Sequence, residues 1–90
     1  VSVVVHELGH NLGRKHAPCG EPLNPDTLYP YPGALLGSWG FDPVTGTLKP
    51  PLETYDLMSY CGPVWVSDYS YRAVYQYLVS RPASAACCGP

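Results

Sequence analysis

His6-Glu7-Leu8-Gly9-His10-Asn11-Leu12-Gly13-Arg14-Lys15-His16 is the stretch on which the reading of this 90-residue chain turns. Two histidines four residues apart lie one above the other on a helix, roughly 6 Å along its axis, so both imidazoles can reach one metal ion. Glu7 stands about 100° around the helix from His6 and flanks that ion. Gly13 offers the left-handed backbone that ends a helix, and the turned chain can bring His16 back as a third ligand. Three neutral nitrogens leave one tetrahedral position open for water, which separates a catalytic zinc from a structural one. Zn2+ in such a site lowers the pKa of its water; Glu7 then takes the proton as general base and returns it as general acid.

A rival arrangement uses the same ligands. Cys19 follows His16 by three residues and would close the tetrahedron with His6, His10 and His16, giving a non-catalytic, zinc-stabilised binding module. Glu7 speaks against it, because a closed structural site has no use for a carboxylate beside the ion.

The pattern H-E-x-x-H-x-x-G-x-x-H is matched at every fixed position, by His6, Glu7, His10, Gly13 and His16. In this the chain resembles the metzincin zinc metallopeptidases, the group that includes astacins, serralysins, adamalysins and matrixins. Asp56-Leu57-Met58-Ser59-Tyr60 resembles their Met-turn, in a form close to that of serralysins. The resemblance implies a zinc-dependent endopeptidase acting on protein or peptide substrates. It places the thioether of Met58, the one methionine of the chain, as a soft floor under the three imidazoles. It also gives Tyr60 the position of a phenol that can donate a hydrogen bond to the tetrahedral oxyanion. Ala17, next after the third histidine, matches none of those four groups, so no subfamily follows. Gly62-Pro63-Val64-Trp65 falls where metzincins wall a specificity pocket, and Trp65 either lines that pocket or staples the helix that follows. If His16 and Met58 both lie at the zinc, their neighbours Cys19 and Cys61 come near enough for a disulfide.

Metzincins set a twisted sheet ahead of the zinc helix, and here the chain starts almost directly before it. Residues 1–90 are therefore expected to be one fragment, the C-terminal part of a catalytic domain whose N-terminal subdomain is missing. The expected fold class is α+β and zincin-like: a zinc helix, a long irregular loop with a short hairpin, the Met-turn and a C-terminal helix.

The remaining sequence fits this outline. Val1, Val5, Leu8 and Leu12 form a helical stripe opposite His6 and His10, so the helix is expected to bury its apolar face and turn the histidines to a cleft. Prolines at 18, 22, 25, 30 and 32 preclude a long helix in the next stretch. Ser38-Trp39-Gly40-Phe41-Asp42 and Thr45-Gly46-Thr47-Leu48-Lys49 flank a turn containing Pro43 and read as a hairpin. Ser67 or Asp68 caps a second helix carrying Tyr71, Val74, Tyr75 and Leu78 at helical spacing, with Pro82 as its stop. A net charge of −2 with scattered cations argues against nucleic acid, and no apolar run is long enough to cross a membrane. Four cysteines in so short a chain suit an oxidising, extracellular compartment.

Overall fold

The structure, a computed structural model, describes residues 2–81. Pro82, Cys87 and Cys88 lie outside the described residues. Two helices bracket the chain: α1, Ser2–Asn11, and α2, Asp68–Val79. Between them run a 3-10 turn at Pro32–Ala34 and four short strands, β1 Gly40–Asp42, β2 Thr47–Lys49, β3 Tyr55–Asp56 and β4 Val64–Trp65. The result is a small α+β arrangement.

α1 stops where the sequence says it should. Gly13, at φ 85°, sits just past its end, Gly13 N–H donates to the His10 carbonyl at 3.0 Å and Arg14 N–H to the Gly9 carbonyl at 2.9 Å. Those paired bonds form a Schellman cap, which needs a left-handed residue at the glycine position. α2 is opened by Ser67, whose hydroxyl accepts from Ser70 N–H at 3.1 Å.

The hairpin forms as expected. β1 and β2 pair antiparallel, Phe41 opposite Leu48. β3 and β4 pair in parallel, Tyr55 with Val64 and Asp56 with Trp65, and Leu35 bridges to Tyr55. Trp65 packs on the hairpin. Its ring covers Gly40, where a Cβ would lie 2.5 Å from Trp65 Cδ1, with the Lys49 ammonium 5.0 Å from the ring. It ties the hairpin to β4.

The core is small. Ala17, Tyr29, Ala34 and Met58 form one buried cluster, and Leu36 is also fully buried. The stripe on α1 departs from expectation. His6 is buried while Val5 and Leu8 are 42% and 53% exposed. The described segments that pack on this helix approach from the histidine side. The apolar stripe instead borders a groove of about 450 Å³, whose far wall is Tyr71, Val74, Tyr75 and Leu78 of α2. Among the described residues nothing fills it.

Candidate metal centre

The elements above bring the three histidines together. The Schellman cap turns the chain back sharply enough for His16, outside the helix, to face His10. One nitrogen from each of His6, His10 and His16 lies within 4.8 Å of the others. The ring centroids are 4.8 Å apart for His6 and His10, 5.1 Å for His6 and His16, and 4.6 Å for His10 and His16.

The other ring nitrogens explain the orientation. His6 Nδ1 lies 2.9 Å from the Leu57 carbonyl and His10 Nδ1 lies 2.8 Å from the Arg14 carbonyl. A carbonyl only accepts, so each Nδ1 carries the proton and each Nε2 keeps a free lone pair. His16 Nδ1 faces the Leu23 carbonyl at a longer 3.4 Å. His10 Nε2 and His16 Nε2 face each other at 3.2 Å. Ligands locked through their distal nitrogens by backbone carbonyls are what a metal site built on imidazoles requires. The donor set fits a zinc ion.

His16 is held from several sides. Asp26 N–H donates to its carbonyl at 2.7 Å, and Ala17 N–H donates to the Met58 carbonyl at 3.0 Å. Asp26 is itself braced by the Tyr69 hydroxyl, 2.7 Å from Oδ2. Burial, and then the neighbouring carboxylate, push the Tyr69 phenol above its usual pKa, so it stays a donor. Cys19 and Cys61 form a disulfide with Cα atoms 5.8 Å apart. This corrects the four-ligand alternative: the Cys19 sulfur is bonded to Cys61 and takes no part in the metal cluster.

Met58 is buried directly beneath α1. Its sulfur lies against Gly9, where a Cβ would overlap Met58 Sδ. The floor therefore meets the backbone of the helix between the two histidine ligands. Tyr60 is 58% exposed, with its ring stacked on His6 at 5.9 Å and tilted over His16 at 4.6 Å. Its position depends on Gly20, at φ 85°, because a Cβ there would lie 2.6 Å from Tyr60 Cβ. Glu7 is exposed and lines a cleft of about 450 Å³ with Val3, His6, Leu57, Ser59, Tyr60 and Val64. His6, Glu7 and Tyr60 thus border one cleft, with the His10 and His16 rings against His6.

The carbonyls of Leu57 and Arg14, the seat at Gly20 and the brace at Asp26 are not found by sequence reasoning. Backbone groups carry no residue signature. Gly9 alone left a trace, as a glycine inside a helix that would otherwise prefer alanine.

Comparison with family models sets the class: the chain is a metallopeptidase. Residues 1–62 match the Peptidase M66 model, and the chain belongs to that family of proteases. No curated protein and no solved structure matches the chain. The matched segment holds all three histidines, Glu7 and the turn that carries Met58 and Tyr60.

Proposed function

We propose that this chain is the C-terminal part of the catalytic domain of a secreted zinc endopeptidase of metzincin type. The observation that carries the reading is the convergence of one nitrogen from each of His6, His10 and His16 within 4.8 Å, with backbone carbonyls behind the His6 and His10 rings. His6, His10 and His16 hold the ion. When bound, zinc supplies Lewis acidity, acidifying water and polarising a carbonyl.

The chain's own groups do the rest. Glu7, at the open cleft, takes the proton of the attacking water and passes it to the departing amine nitrogen. The Tyr60 hydroxyl, carried on a ring beside two of the ligands, donates to the oxygen of the scissile carbonyl as negative charge gathers there. Cys19–Cys61 supports an oxidising destination. The exposed valines of α1 support a missing N-terminal sheet subdomain as the cover for that helix, since Val3 and Val4 are 72% and 66% exposed.

The test is Glu7→Gln in the full-length protein, with zinc content and turnover measured on one sample. Glutamine keeps the shape and cannot take a proton. Turnover is expected to fall by about 10²–10⁴-fold with zinc content unchanged. An active Glu7→Gln protein would overturn the mechanism; a wild type that takes up no metal would overturn the metal assignment.

A further inference from the structure

Asp56 is fully buried, and among the described residues no cation pairs with it. Burying a carboxylate is costly unless donors replace its water, and here three do. Oδ1 accepts from Ser67 N–H at 3.0 Å and from the Ser67 hydroxyl at 2.6 Å, while Oδ2 accepts from Met58 N–H at 2.9 Å. The Asp56 carbonyl accepts from Ser59 N–H at 3.0 Å. Side chain and main chain of one residue thus fold positions 56–59 into a tight turn and tie it to the start of α2.

Leu57 sits inside that turn, and its carbonyl accepts from His6 Nδ1–H at 2.9 Å. The partner of His10 is different in kind: the Arg14 carbonyl lies four residues away, in the cap of the same helix. The carbonyl behind His6 comes from 51 residues further along the chain. Nothing in α1 fixes where that carbonyl points; the Asp56 turn does.

We propose that Asp56 is a positioning residue for the metal centre, holding the 56–59 turn so that the Leu57 carbonyl fixes His6 with Nε2 free for the ion. The metal half of this rests on the function proposed above. The positioning half is readable without metal. Donors arrive at both oxygens, and the bond from Met58 N–H is the one that shapes the turn. Asparagine offers a single acceptor oxygen, and the side with two donors claims it, which sets the amide NH2 against Met58 N–H. Serine does the converse. Its short hydroxyl accepts from the N–H two residues on, as in the turns that Ser shares with Asp, but does not reach Ser67.

The experiment follows the imidazole Nδ1–H resonances of the metal-free full-length protein by NMR, alongside titration with Zn2+. Asp56→Asn is expected to lose the exchange-protected Nδ1–H of His6, to retain that of His10, and to bind Zn2+ about 10–100-fold more weakly. Ser67→Ala removes a cap and one Asp56 partner yet leaves the Met58 bond, so it is expected to lose stability and keep the His6 signal. Asp56→Ser is expected to keep the signal too. A protected His6 Nδ1–H in folded Asp56→Asn overturns the assignment. So does its loss in Asp56→Ser or in Ser67→Ala, whether or not Asp56→Asn folds. A wild type that binds no Zn2+ overturns the proposed function instead, because the comparison of Nδ1–H signals is made without the metal.

Discussion

Tyr60 owes its place to contacts through its N–H, Cβ and ring, and among the described residues its hydroxyl has no partner. Its N–H donates to the Cys19 carbonyl at 3.1 Å, its Cβ rests on Gly20, and its ring lies against His6 and His16. A phenol held this way contributes mainly where negative charge develops, in the transition state. Tyr60→Phe is therefore expected to lower kcat by about 10²-fold with KM changed little, checked by steady-state kinetics on a peptide substrate. Unchanged kcat would return Tyr60 to packing. At this scale the sequence was most legible in side chains with chemistry of their own. Three histidines and a glutamate announce themselves by spacing, since the helix sets their directions. Asp26 and Asp56 announce nothing, because the Tyr69 hydroxyl that meets Asp26 and the Ser67 donors that meet Asp56 lie 43 and 11 residues away.

α1 and the turn beneath it are fitted to each other at one atom pair, Gly9 against Met58 Sδ. In an exposed helix, Gly→Ala gains about 1 kcal/mol. Here the new methyl overlaps the sulfur. Gly9→Ala is expected to destabilise the protein by about 1–3 kcal/mol, the cost of overpacking, as read by denaturant unfolding. A more stable variant would mean that Met58 has room to move. Elements with strong local signals were the ones foreseen: α2 between its serine cap and Ser80, and the hairpin across Pro43. β3 and β4 were not foreseen. Two residues each are too few to show a period, and their pairing is set by the 56–59 turn and by Trp65 on Gly40. The apolar stripe of α1 was legible in the sequence, and among the described residues it stays largely exposed. A hydrophobic pattern states which side of a helix avoids water; it does not say that the cover lies within the same 80 residues.

Over the whole molecule the long-range ties converge on the third ligand. The bridge between Cys19 and Cys61 spans 42 residues and joins the segment after His16 to the end of the Met58 turn. In the chain-entropy account such a loop stabilises by about 4 kcal/mol. Reduction is expected to weaken Zn2+ binding and lower the unfolding midpoint, with both followed in one titration against dithiothreitol. Unchanged affinity in the reduced protein would show that Asp26 and Ala17 hold His16 unaided. The bridge also sets an order of events during biosynthesis. His6, His10 and His16 leave the ribosome well before Leu57 and Cys61, so the nascent ligands at first have neither the carbonyl behind His6 nor the crosslink beside His16. The three imidazoles gain both supports only once residue 61 has been made and Cys19 has been joined to it.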